Sequence, residues 1–219
     1  MSNKEVATIF GTSIGLITIP EDTDILQTHK TNWHQNPDHA KCSWASQNVR
    51  VLESYPEIKK ILLDHFISFS KGVLGVNCNF TISTSWMTKC EKGESSQLHS
   101  HANSFWSGVY YYGEKYDGSS SLAFENPLSN YIKDYGFRVH PEVLTQYNKI
   151  EEMITPHKNG LVLFPSYLKH KILKHDSDIP RYSLAFNIIP VGHYGTGDAQ
   201  YDTKWVTWHK LINTHRCMG

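Results

Sequence analysis

The sequence predicts a mainly β protein of the closed-sandwich or jelly-roll type, preceded by one helix. After Gly75 the chain turns to β-branched and aromatic runs bounded by Gly, Asn, Ser and Pro, which is strand chemistry. Five such runs follow, "NFTISTSWMTK", "FWSGVYYYG", "SSLAFENP", "GLVLFP" and "RYSLAFNIIP", joined mainly by turn-rich connections. Sheets made of many short strands must hide their edges, and a closed sandwich or jelly roll does so.

Taken in order, residues 8 to 19, "TIFGTSIGLITI", predict a short strand or two interrupted by glycine, and residues 21 to 50 are polar with no clear period. "PEIKKILLDHFISFSKG" then predicts a helix. Pro56 suits its first turn, Ile58, Ile61, Leu62, Phe66 and Phe69 form an apolar stripe at helical spacing, and Gly72 is the expected stop. That stripe is packing surface. The segment 128 to 158 carries the weakest periodicity; the expectation is a short helix around Val143 to Ile150 in a loop that could cover the barrel mouth. There is no internal repeat and no low-complexity tract. A chain of 219 residues can bury one sizeable core, so a single domain is expected over 1–219: strand and helical support over 1–75, a jelly-roll core over 76–190, and a C-terminal extension over 191–219.

Charge narrows the function classes. Lys plus Arg number 21 and Asp plus Glu number 21, so no global field favours nucleic acid or an anionic membrane surface. Cys42, Cys78, Cys90 and Cys217 are widely spaced and predict reduced thiols in a cytoplasmic setting. "MSNKEVATIF" lacks the pattern of a signal peptide, and no stretch approaches the ~18 apolar residues of a membrane span. A soluble cytoplasmic protein is expected, with no membrane or nucleic-acid partner.

The chemistry concentrates in three places. His99 and His101 stand one residue apart at the entry to a strand, and positions i and i+2 of an extended chain point the same way, so both rings can reach one atom. That geometry suits a metal, although a chance pair is not rare among 13 histidines. His170 ends "GLVLFPSYLKH", where a strand and its turn could bring a third imidazole to the same mouth. Arg181 opens "RYSLAFN", whose one face carries Arg181, Ser183, Ala185 and Asn187 and whose other carries Tyr182, Leu184, Phe186 and Ile188. An inward-facing Arg needs an anion, and its planar fork suits a carboxylate; the plain alternative is a surface pair with Asp176 or Asp178.

The ordered combination of "HSHANSFWSGVYYY", "NGLVLFPSYLKH" and "RYSLAFN" resembles the Fe(II)/2-oxoglutarate-dependent oxygenase superfamily. It is most similar to a bacterial and phage branch carrying an HxHxNSxxSGVYY motif, and the resemblance covers roughly residues 78 to 190. It implies a double-stranded β-helix, the jelly-roll, cupin-like fold, and a dioxygenase using Fe(II), 2-oxoglutarate and O2. It further implies hydroxylation of a small-molecule or peptidyl substrate with release of succinate and CO2.

By the same resemblance His99 matches the first histidine of the family's metal motif and His170 the distal one. His101 stands where the family places a carboxylate, which would leave the ligand set one charge more positive. Either His101 ligates as a third imidazole, or it turns away and a water, a halide or a second carboxylate such as Glu125 completes the shell. Strand geometry favours His101 as a ligand. Arg181, with Ser183 beside it, would grip the far carboxylate of 2-oxoglutarate, and Tyr111 would line that pocket. Tyr110 and Tyr112 would face the core, and Asn103 either binds substrate or forms the turn after the histidines, the turn being the simpler use of an Asn there. Two other functions fit the same residues: a three-histidine cupin-type iron dioxygenase that does not use 2-oxoglutarate, and a non-catalytic metal-binding β-sandwich.

Overall fold

The computed structural model describes residues 11–20, 26, 31–35, 42–113, 120–129 and 141–203. The start of the first expected strand, Cys217, residues 130–140 of the possible cover and most of the C-terminal extension lie outside these residues.

Two sheets face each other. The larger has seven antiparallel strands in the order β1 (Gly15–Thr18), β8 (Gly160–Pro165), β5 (Trp106–Tyr112), β10 (Arg181–Val191), β4 (Asn79–Cys90), β3 (Trp44–Ser46), β2 (Trp33–His34). The smaller has three, in the order β7 (Glu151–Ile154), β6 (Leu122–Glu125), β9 (His170–Ile172). A short ladder joins β11 (His193–Tyr194) to β12 (Tyr201–Asp202). This is the double-stranded β-helix. All five strands expected from composition are present, as β4, β5, β6, β8 and β10.

Strand alternation assigns two cores. Tyr110, Leu161, Leu163, Leu184, Phe186 and Ile188 point to the outer face of the large sheet. There they pack with Ile58, Leu62 and Phe66 of helix α1 (Pro56–Phe69). Tyr111, Val162 and Phe164 point the other way and meet Leu122 and Phe124 of the small sheet, so this second cluster joins the two sheets. Gly108 in β5 is required by packing, because a Cβ there would fall 2.2 Å from Phe186 Cζ on the neighbouring strand.

Three expectations need correction. The helix does not stop at Gly72; a π-helical turn, Ser70–Leu74, continues it to Gly75, whose φ of 67° supplies the left-handed stop. No helix forms around Val143 to Ile150, where the chain makes turns anchored by Asn148, whose side-chain amide donates to the Val143 carbonyl. Directly after those turns the expected loop of 128 to 158 instead holds β7, which pairs with β6 from Leu122↔Ile154 to Glu125↔Glu151. Among the described residues no helix is long and apolar enough to cross a membrane.

Candidate metal centre

The site lies where the small sheet is extended by one residue of the preceding loop. His99 pairs with His170 across an antiparallel bridge, each backbone N–H donating to the other's carbonyl at 3.0 and 2.8 Å. His101 N–H donates to the Ser166 carbonyl at 2.9 Å, which fixes the second histidine on the turn after β8. Asn103 then reverses the chain with φ 54°, a conformation Asn tolerates well.

The ligand atoms of His99, His101 and His170 all lie within 4.8 Å of one another. Ring centroids stand 4.4 Å apart for His99 and His170, 5.0 Å for His101 and His170, and 5.2 Å for His99 and His101. Two of the rings are oriented by the same local device. His99 Nδ1 donates to the Gln97 carbonyl at 2.8 Å, and His170 Nδ1 donates to the Leu168 carbonyl at 2.9 Å. A carbonyl only accepts, so the proton sits on Nδ1 and each Nε2 keeps a lone pair for a cation. Phe164 stands edge-on to His170 at 4.6 Å, Phe124 lies 6.0 Å from it, and Trp86 lies 5.5 Å from His101, so the cluster has an aromatic wall.

Burial makes two of the rings, His101 and His170, poor bases. It pulls His101 down to about 4, with the neighbouring His99 adding repulsion. It pulls His170 down to about 3, against the opposing pull of the Leu168 carbonyl and with help from His99 and His101. Neutral imidazole is the form that ligates. Among the described residues no carboxylate joins the cluster. Glu125 instead accepts from the Ser129 hydroxyl at 3.3 Å.

On the inner face of the large sheet, the face that also carries Tyr111 and Ser183, Arg181 is 3% exposed. The surface alternative does not form, since Asp178 pairs with Lys92 and Asp176 with Lys174. Arg181 Nη1 donates to the Ser120 carbonyl at 2.9 Å, and its guanidinium lies 5.4 Å from the ring centroid of Tyr111. Its Nε is buried without a hydrogen-bond partner among the described residues. Tyr111 is buried in the inter-sheet core, and burial pushes its hydroxyl up while the Arg181 charge pulls it down. Ser183 faces Tyr111 across the β5–β10 ladder, and its hydroxyl shares a 2.6 Å hydrogen bond with Thr88. A cleft of about 490 Å³ opens beside His101, lined in part by Val76, Phe105, Trp106, Pro165 and Tyr167.

Sequence reasoning missed β9 as a strand, the Gln97 and Leu168 carbonyls that orient two rings, and a buried polar chain beneath His101. In that chain Ser104 and Ser166 share a bond, Ser166 joins Ser107, Ser107 donates to Asn187 Oδ1, and Asn187 Nδ2 donates to Thr84. The alternating polar positions Ser107 and Asn187 were the available signal.

The jelly roll thus brings three imidazoles together at the end of its small sheet and buries an arginine on the inner face of its large one. Residues 84–187 match the family model described as "Putative 2OG-Fe(II) oxygenase", the family of iron- and 2-oxoglutarate-dependent oxidoreductases that this segment is similar to. Solved structures share the fold at low identity. An oxidoreductase of the 2OG-Fe(II) oxygenase family from Burkholderia pseudomallei superposes with a TM-score of 0.51 at 13% identity, covering 75% of this chain and 74% of its own. HygX from Streptomyces hygroscopicus, with nickel and 2-oxoglutarate bound, gives 0.55 at 12%, covering 82% and 83%. The non-heme alpha-ketoglutarate-dependent epimerase SnoN from nogalamycin biosynthesis gives 0.58 at 9%, covering 86% and 83%. A search of the curated proteins by sequence returned no match.

Proposed function

We propose that the chain is an Fe(II)- and 2-oxoglutarate-dependent oxygenase that hydroxylates a substrate R–H: R–H, 2-oxoglutarate and O2 give R–OH, succinate and CO2. One oxygen atom enters succinate and the other the product. The observation that carries this reading is the convergence of His99, His101 and His170 on one point together with a buried Arg181 Nε–H that has no hydrogen-bond partner among the described residues. The donor set fits a divalent first-row cation, being three nitrogen ligands of neutral imidazole type. Iron bound there would supply the redox chemistry that couples loss of CO2 to C–H oxidation.

The chain's own residues do the rest. His99, His101 and His170 would hold the metal, with the Gln97 and Leu168 carbonyls fixing two of the rings. Arg181 would take the far carboxylate of 2-oxoglutarate, with Tyr111 and Ser183 walling the pocket. A buried guanidinium with a missing partner gains most from an anion. Fixing one end of the diacid orients its reacting end. The cleft beside His101 would admit the primary substrate. Its described lining, with Leu74, Val76, Phe105, Trp106, Pro165 and Tyr167, would suit an uncharged part of the substrate.

The test is succinate formation from 2-oxoglutarate by the Fe(II)-loaded protein, followed by NMR with and without Arg181→Lys. Lysine keeps the charge but loses the planar fork, so turnover at low 2-oxoglutarate should fall. Oxygen consumption that proceeds equally well without 2-oxoglutarate would instead identify the three-histidine dioxygenase, which the replacement of a carboxylate by His101 keeps as the competing reading.

A further inference from the structure

His175 is fully buried, with 0% of its surface exposed, and no step above uses it. Its backbone is clamped to the turn after β4: His175 N–H donates to the Glu94 carbonyl at 2.8 Å, and Gly93 N–H donates to the His175 carbonyl at 2.7 Å. Its ring is equally constrained. Nε2 stands 2.7 Å from the Ile179 carbonyl, which can only accept, so Nε2 carries the proton. Nδ1 is then an acceptor, and the group facing it is the Ser120 hydroxyl, which donates to it.

Ser120 needs such an anchor. Its φ of 60° is in the left-handed region, which is unfavourable for a residue with a Cβ. That conformation aims the Ser120 carbonyl at Arg181, where it accepts from Nη1 at 2.9 Å. The chain of contacts therefore runs from Ile179 through His175 and Ser120 to the guanidinium. Cys90, the cross-strand neighbour of Arg181, also sets its thiol against the Ser120 hydroxyl. With Nη1 held and one guanidinium face toward Tyr111, the direction of the Nε–H, which has no partner among the described residues, is set.

We propose that His175 and Ser120 are positioning residues for Arg181, and that their hydrogen bond sets the affinity and selectivity of the chain for a five-carbon dicarboxylate over a monocarboxylate 2-oxo acid. The proposal rests on the reading of Arg181 given above. An arginine of several rotamers binds a carboxylate well only when its fork is already aimed, so loosening it costs affinity at the far end of the diacid alone.

The experiment is calorimetric titration of the Mn(II)-loaded full chain with 2-oxoglutarate and with pyruvate, which lacks the far carboxylate, alongside Mn(II) titration of the metal-free chain. Ser120→Ala and His175→Phe should each weaken 2-oxoglutarate binding about ten-fold, the worth of roughly one net hydrogen bond, and leave pyruvate and Mn(II) binding unchanged. His175→Asn, which keeps an acceptor near the Nδ1 position, should restore most of the loss. A merely structural role would weaken 2-oxoglutarate, pyruvate and Mn(II) together, and that result overturns the proposal. Should His175→Phe not fold, Ser120→Ala carries the test alone. Arg181→Lys separates the two levels. If it weakens 2-oxoglutarate binding while Ser120→Ala and His175→Phe do not, the positioning proposal fails by itself. If Arg181→Lys leaves 2-oxoglutarate binding intact, the assignment of Arg181 fails and takes the proposal with it.

Discussion

His99 and His170 are directly opposite one another in a hydrogen-bonded antiparallel pair, so the spacing of two candidate ligands is fixed by main chain rather than by side-chain packing. Removal of either imidazole should leave that backbone bridge in place. His99→Ala and His170→Ala are therefore expected to fold normally by circular dichroism yet lose Fe(II) affinity by at least the ~100-fold that loss of an outer-shell partner can cost. Undiminished iron content in both variants would contradict the metal assignment.

His101 separates the possible ligand sets. With three imidazoles on the metal, His101→Ala should weaken anaerobic Fe(II) binding at pH 7, whereas His101→Asp should retain it by creating the two-histidine, one-carboxylate set of the wider family. If the His101 ring does not ligate, His101→Ala should bind iron as wild type does, and added chloride should alter the metal's absorption spectrum.

The buried rings make the metal-free protein sensitive to mild acid. Above the ordinary histidine value near ~6.5, His101 and His170 are neutral in the folded and unfolded chain alike and add no pH dependence. Below it the unfolded chain takes up protons that the folded chain refuses, down to about 4 at His101 and about 3 at His170. Stability should consequently fall progressively across that window. Thermal melts in chelator from pH 7.5 to 5 should show the decline, and His170→Gln should flatten it. An equal slope in the variant would remove His170 from the account.

Gly108→Ala should destabilise the fold by about 1–3 kcal/mol, the usual cost of overpacking a filled core. The added methyl would collide with the Phe186 ring, which is itself fully buried. A urea midpoint matching wild type would show that the ring has room to move.

What the sequence disclosed depended on the range of the interactions involved. The inner and outer faces of β5 and β10 were legible because alternation is local: Tyr111 and Ser183 fall on one side, Tyr110 and Leu184 on the other. The pairing of His99 with His170 was not, because it is set by register between segments far apart in the chain. β7 escaped because its residues are largely exposed, Met153 at 59%, so no hydrophobic alternation marks it, and only its pairing with β6 makes it a strand. The helix end was misplaced because Gly72 gives a stop signal that the chain overrides for one further turn. His175 and Ser120 carry no periodic signal, and their relation to Arg181 exists only in three dimensions.

The strand order has a consequence for how the protein is made. β4 and β5 do not pair with each other; β10 is hydrogen-bonded between them, although it follows both in the chain. While a ribosome is still translating the segment before Arg181, both strands expose open edges, and the polypeptide is at its most vulnerable to intermolecular association. Arrival of β10 closes both edges at once and brings Arg181 into place in the same step. Nascent chains stalled before Arg181 should therefore depend on chaperones and be sensitive to protease, whereas chains stalled with Val191 clear of the exit tunnel should resist it.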